Sequence, residues 1–404
     1  MDTAGDAATL ARAVAQWRDD TPGTKHRHHL NNAGAALPPS VVMDAVHSHI
    51  DLEATIGGYE AAAAVGGAIH DCYRSLGSLL RVAPHNIAVT SSATAAYAQA
   101  LSAFDFAPGD TIVTTNADYL SNRIMFEALS ARRGVRVIEA AELPEGGVDP
   151  AAVAAAIAAA RPRLVAVTWV PTFGGLVQRV EDVGGICFDA GVPYLVDGCQ
   201  AVGQLDIDVV AVRCDFMAAT ARKFLRGPRG IGFLYVSDSA LARGMHPLLV
   251  DMRGANWNAS GSYSTYDGAR RFEQWEQPLA LLLGMGAAAR YALDAGIART
   301  AARAHALASA AREQLTRIPG VRSLDHAPRL SAIASFECEG HDASALVLAL
   351  RAFGVNVSSQ SRDENAVALG RLGAGSLLRV SPHYYNDASD LDALEAALRE
   401  LLTP

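Results

Sequence analysis

The stretch DPAAVAAAIAAARPRLVAVTWV, residues 149–170, joins two kinds of segment. Its first half is alanine-rich, carries Val153 and Ile157 at helical spacing and opens on an Asp-Pro pair; its second half, RLVAVTWV, is a β-branched run too short for a helix. A strand apolar on both faces must be covered on both, and the helix before it covers one of them. The alternation continues outward in the runs NIAVT (86–90), DTIVTT (110–115), VRVIEA (135–140), PYLVDG (193–198) and GIGFLYV (230–236). Turn signals separate them at APGD (107–110), EGGVDP (145–150) and Pro193. Strands alternating with helices predict an α/β fold with a mainly parallel central sheet flanked by helices through right-handed crossovers.

Past about residue 275 the pattern changes. A long alanine- and leucine-rich region, 278–318, reads as helices; LSAIASFECE (330–339) and SLLRVSP (376–382) read as strands, and a last helix starts near Asp387. The expected organisation is an N-terminal arm of residues 1–30 joining a small unit, a large unit of residues 31–275, and a smaller α+β unit of residues 276–404.

Half of the 404 residues are hydrophobic, so a globular core is expected, and a formal charge of −8 argues against a nucleic-acid partner. Five scattered cysteines without a C-x-x-C pair predict reduced thiols and a cytoplasmic protein. No signal peptide and no membrane-spanning apolar run of about 18 residues are read from the chain. The cluster KHRHH at 25–29 has no adjoining carboxylate or cysteine, which favours a solvated arm over a metal site.

Ligands of an open parallel sheet bind beyond the carboxyl ends of its strands. There the run PYLVDGCQ ends in Asp197, with Gln200 after it, and Asp197 is either a helix cap or a ligand-facing carboxylate. The run NIAVT turns through Ser91, Ser92, Ala93 and Thr94 into a helix, an ordinary cap or a phosphate site. No strand leads into G-x-G-x-x-G and no P-loop occurs, which disfavours a nucleotide. Of 34 basic residues two are lysine, Lys25 and Lys223. Lys223 is either a surface residue in an arginine-rich chain or an amine retained for imine chemistry, with Arg222, Arg226 and Arg229 supplying a positive field.

A phosphate site, a strand-end carboxylate and a later lysine form the constellation expected for pyridoxal phosphate. Together with HLNNAGAALPP, TSSATAAYA, DYLSN, VPTFGGLVQRV, YLVDGCQAVGQ, ARKFLRGPRGIGFLYV and LRVSPHYYN, it makes the chain resemble the class V aminotransferase and cysteine desulfurase family of fold-type I pyridoxal-phosphate enzymes. The resemblance implies pyridoxal 5'-phosphate as cofactor, an amino-acid substrate and a homodimer. By matching position it implies that Lys223 is the catalytic imine-forming lysine, Asp197 the partner of the pyridine nitrogen, and Gln200 the partner of the ring phenolic oxygen. Ala93, Thr94, Thr220 and Arg222 match the phosphate cup, Tyr119 the aromatic residue stacked on the ring, and Arg379 the grip on the substrate carboxylate. Asn32 falls in the segment lining the substrate side. The sequence departs from the family pattern in two places. Thr172 stands where desulfurases carry asparagine, and RRFEQWEQP (270–278) lacks the Gly-Thr that follows the family's Arg-Phe-Glu element, a loss for which Arg270 or Arg271 would have to compensate.

A desulfurase presents a cysteine on the loop before the carboxylate arginine, and residues 358–376 contain none. The expectation is therefore a carbon-sulfur lyase that cleaves an S-substituted L-cysteine by β-elimination, in a secondary-metabolite or small-thiol pathway. Transamination, epimerisation, decarboxylating oxidative deamination and a silent scaffold are the alternatives.

Overall fold

The computed structural model describes residues 3–363, 369–370 and 372–403, with side chains from residue 8 onward. Seven strands build the central sheet: β1 (Ile87–Thr90), β2 (Thr111–Thr115), β3 (Arg136–Ala140), β4 (Leu164–Thr168), β5 (Tyr194–Asp197), β6 (Phe216–Thr220) and β7 (Gly232–Val236). Their order is β1-β7-β6-β5-β4-β2-β3, and all neighbours are parallel except β7, which runs antiparallel to β1 and β6. The exception follows from chain length. Residues 221–231 join β6 to β7 without a helix, and a parallel return needs a crossover of a dozen or more residues.

Strand periodicity divides the core between the two faces. Val89, Val113, Val165, Val167, Val196 and Phe233 point into one cluster, while Ala88, Ile112, Leu164, Ala166, Leu195 and Leu234 point into the other. The helix Pro150–Ala160 foreseen from the opening stretch is capped by the Asp149 side chain, with Pro150 at its first position.

A second sheet, entirely antiparallel, contains β8 (Val321–Ser323), β9 (Ala334–Cys338), β10 (Ser358–Ser361) and β11 (Ser376–Val380) in the order β8-β9-β11-β10. It has its own cluster, including Phe336, Leu350, Leu378, Leu394 and Leu398. The region read as helical from 278 onward forms Leu279–Ala295 and Ile297–Leu315, and the last helix spans Ala388–Leu402 behind the Asp387 cap. No single helix among the described residues is long and apolar enough to cross a membrane.

The basic cluster at 25–29 is not wholly a solvated arm. His28 and His29 pair in parallel with Val355 and Asn356, and His29 is buried with its Nε2 2.9 Å from the Ala35 carbonyl. Lys25, His26 and Arg27 remain exposed. A two-residue strand pairing with a distant partner leaves no periodic signal in sequence.

Candidate active site

The carboxyl ends of β1, β4, β5 and β6 meet at one edge of the sheet, where β7 begins. Thr168 of β4 is in register with Asp197 of β5, and Asp197 with Ala218 of β6. Gly232 faces both Thr90 and Thr220. A Cβ on Gly232 would lie 2.8 Å from the Ala93 nitrogen and 2.5 Å from the Ala219 oxygen, so only glycine lets the helix Ala93–Ser102 start this close to the sheet. Ser92 caps that helix by accepting from the Ala95 N–H at 3.0 Å.

A cavity of about 250 Å³ lies at this edge. Ser92, Ala93, Thr94, Tyr119, Asp197, Gln200, Thr220, Arg222 and Lys223 all line it, so a phosphate-cup segment, an aromatic ring, a carboxylate and a lysine predicted separately come together. Lys223 Nζ stands 6.0 Å from the centre of the Tyr119 ring. Burial lowers the Lys223 amine to about 8; Cys199 and Asp197 oppose the shift, and Arg222 and Arg379 add to it. The Arg222 guanidinium lines the cavity while donating to the Gly34 carbonyl. Thr172 also lines the wall.

Two predicted residues lie outside this lining. Arg379, on β11, is buried behind the wall, donating from Nη1 to the Thr172 carbonyl at 2.7 Å and from Nε to Ser358 Oγ at 3.0 Å. Asn32 is fully buried and does not line the cavity: its Nδ2 donates to the Ser381 carbonyl at 2.7 Å and its Oδ1 accepts from Tyr385 Oη at 2.5 Å. Within the chain, the Arg271 guanidinium donates to the Gly268, Leu241 and Met245 carbonyls. Arg270 lies in a different cavity, over the Tyr73 ring.

Sequence reasoning missed Asp118, Asn122 and Thr168. Asp197 Oδ2 accepts from Asn122 Nδ2 at 3.0 Å and Oδ1 from the Cys199 N–H at 2.9 Å. Asn122 also donates to Asp118 Oδ1 at 3.0 Å, and Thr168 Oγ1 donates to the same oxygen at 2.5 Å. The available signals were the i, i+4 spacing of Asp118 and Asn122 and the ending of β4 in threonine.

Cys199 lines the cavity, held beside Asp197, and burial pushes its thiol well above the ordinary range. The other four cysteines are buried and do not line the cavity. Residues 364–368 and 371 of the cysteine-free segment lie outside the described residues.

The cavity suits a polar planar ring carrying a phosphate. Gln200 is 2% exposed, yet neither of its side-chain amide atoms has a hydrogen-bond partner in the protein, an arrangement that calls for a polar ligand. The helix start at Ser92–Thr94 offers backbone donors to an anion, with Arg222 alongside.

Sheet order, strand-end carboxylate and buried lysine define a fold-type I pyridoxal-phosphate enzyme, and its cofactor is pyridoxal 5'-phosphate. The chain belongs to the aminotransferase class V family, whose model matches residues 28–394. A probable cysteine desulfurase of Mycolicibacterium paratuberculosis is 27% identical over 407 residues, covering 96% of this chain; this chain spans only 58% of that relative's length. The apo cysteine desulfurase of Thermococcus onnurineus has the same fold, with a TM-score of 0.87 at 23% identity, covering 96% of this chain and 98% of that one. A cystine C-S lyase, solved with its reaction product cysteine persulfide, gives a TM-score of 0.83 at 21% identity over 94% of this chain and 99% of its own.

Proposed function

We propose that the protein is a pyridoxal-phosphate-dependent carbon-sulfur lyase that cleaves an S-substituted L-cysteine by β-elimination, releasing a thiol, pyruvate and ammonia. The observation that carries this reading is the absence of cysteine from residues 358–376, beside an intact Lys223 and Asp197. Without a thiol that segment delivers no protein sulfur to accept sulfur from the substrate, and the cavity-lining Cys199 is held beside Asp197 with its thiol pushed up by burial. A cystine C-S lyase among the structural neighbours is consistent with such chemistry on this fold.

When bound, pyridoxal phosphate supplies an electron-accepting ring that stabilises negative charge at the substrate α carbon. Lys223 then takes the α proton, for which an amine lowered to about 8 is well matched. Asp197 would hold the proton on the pyridine nitrogen, Gln200 would bond the phenolic oxygen, and Tyr119 would stack on the ring. Ala93, Thr94, Thr220 and Arg222 would hold the phosphate, Arg379 would orient the substrate carboxylate by exchanging its bond to the Thr172 carbonyl for it, and Asn32 would support the substrate side through its network rather than by contact. We assign the large and small units to residues 31–275 and 276–404, with residues 1–30 as the joining arm. We further propose a cytoplasmic homodimer in a secondary-metabolite or small-thiol pathway. The exposed side chains of Leu248, Leu249, Met252, Trp257 and Trp275 support a partner subunit, and sedimentation as a monomer would exclude it.

The test is product identity. Incubated with a panel of S-substituted cysteines, the enzyme is expected to release free thiol and pyruvate in equal amounts. Formation of only an aldehyde, another keto acid or an inverted amino acid refutes lysis in favour of deamination, transamination or epimerisation.

A further inference from the structure

Behind Asp197, away from the cavity, lies a second carboxylate. Asp118 is 7% exposed and accepts four hydrogen bonds: from Thr114 Oγ1 at 2.6 Å, Thr168 Oγ1 at 2.5 Å, the Tyr119 N–H at 2.8 Å and Asn122 Nδ2 at 3.0 Å. Asn122, 2% exposed, spends its amide on two carboxylates, with Asp197 Oδ2 also at 3.0 Å. Thr168 and Tyr119 line the cavity, so Asp118 touches the hydroxyl of the one and the backbone of the other without reaching the cavity itself. We propose that Asp118 is a positioning residue: through Asn122 it fixes the orientation of Asp197, through its backbone bond it sets the Tyr119 ring, and it adds a second negative charge behind the cofactor nitrogen. The inference rests on the cofactor placement proposed above.

A carboxylate held by one side chain alone can rotate, whereas Asp197 is gripped at both oxygens, by the Cys199 N–H and by Asn122. Asn122 in turn keeps its orientation only while Asp118 accepts its other bond. Burial pushes the Asp118 carboxyl up, the Thr114, Thr168 and Asn122 donors counter that shift, and the Asp197 charge adds to it. Four donors on an acceptor-only group favour its charged form at that position. With pyridoxal phosphate bound, a negative charge behind Asp197 would favour retention of protons on the cofactor's nitrogens. The other titratable groups acting on these two carboxylates are Tyr97 on the helix Ala93–Ser102 and, against Asp197 from the cavity side, Lys223 and Cys199.

The experiment uses the cofactor-loaded enzyme and follows the pH titration of its visible absorption band. Asp118→Asn keeps the shape and removes the charge; the midpoint of the titration is expected to fall by about 0.5 to 1 pH unit. The thermal midpoint of the cofactor-free variant serves as the fold control. Thr114→Val removes one donor to Asp118 far from the cavity, and a smaller shift in the same direction is expected; it carries the test if Asp118→Asn does not accumulate folded. A variant of altered thermal midpoint but unshifted band shows Asp118 to be merely structural and overturns the inference. A wild-type protein without any visible band overturns the cofactor placement and the inference with it, whereas a wild-type band with unshifted variants overturns the inference alone.

Discussion

Lys223 and Gln200 illustrate how one residue's environment predicts its behaviour. Since burial lowers the Lys223 amine to about 8, it is protonated and non-nucleophilic below that pH and free above it. Reconstitution of the cofactor-free protein with pyridoxal phosphate should therefore accelerate between pH 6.5 and 9 and then level off, as stopped-flow absorbance would record; a rate still climbing beyond pH 10 would mean an ordinary lysine. Lys223→Ala should abolish the visible band. Gln200 makes the opposite kind of case, because its unpartnered buried amide is a cost to the empty protein. Gln200→Leu should stabilise the cofactor-free chain by about 1 kcal/mol in urea unfolding while weakening cofactor binding about tenfold. A destabilised cofactor-free variant would show that the amide has an internal partner. Lys223 and Asp197 were legible in sequence because each is a chemical oddity in its setting, one lysine among arginines and one acid closing an apolar run. Asp118, Asn122 and Thr168 were not, since a short polar residue beside a helix start looks the same whether it caps the helix or braces a neighbouring carboxylate.

At the scale of elements, strands betrayed themselves by unbroken β-branched runs, and β1 to β5 and β7 lie where those runs predict. The orientation of β7 was hidden, because periodicity reports burial and not direction; the short link 221–231 decides it, and that link carries Lys223. The lysine turn is shaped by close packing. Gly203 has φ +94°, and a Cβ there would lie 2.3 Å from the Phe224 carbonyl carbon and oxygen and 2.4 Å from the Leu225 nitrogen. Gly203→Ala must therefore either strain its own backbone or push residues 224 and 225, and Lys223 with them. The expected loss is about 3 kcal/mol of stability, with release of cofactor on gel filtration. A variant that retains both wild-type stability and bound cofactor would show that the turn is not held from this side.

Seen across the whole molecule, the lysine turn is where distant parts of the chain converge. The Ala36 N–H donates to the Arg222 carbonyl at 2.9 Å, and His383 Nε2 lies 2.8 Å from the Phe224 carbonyl. His383 Nδ1 accepts from the Tyr384 N–H, so Nε2 carries the proton and donates. Arg226, 1% exposed, reaches Thr21 Oγ1, the Leu37 carbonyl and Tyr384 Oη, and lies over the rings of Tyr291, Tyr384 and Tyr385. The first helix, Thr3–Asp19, tightens this junction from outside: Trp17 meets Tyr384 edge-on at 4.9 Å, and Arg18 pairs with Asp387 and with the buried Asp390. Among its described side chains, from residue 8 onward, none lines the cavity. Deleting residues 1–19 should nevertheless weaken cofactor binding several-fold and lower the thermal midpoint, because it uncovers the Tyr384 ring and removes a cation from a buried carboxylate, a loss of about 3 kcal/mol. Arg18→Ala should reproduce part of the stability loss at unchanged KM for the substrate. If the truncated chain holds pyridoxal phosphate with wild-type affinity, the lysine turn is fixed by the central sheet alone and the N-terminal helix has no part in shaping the site.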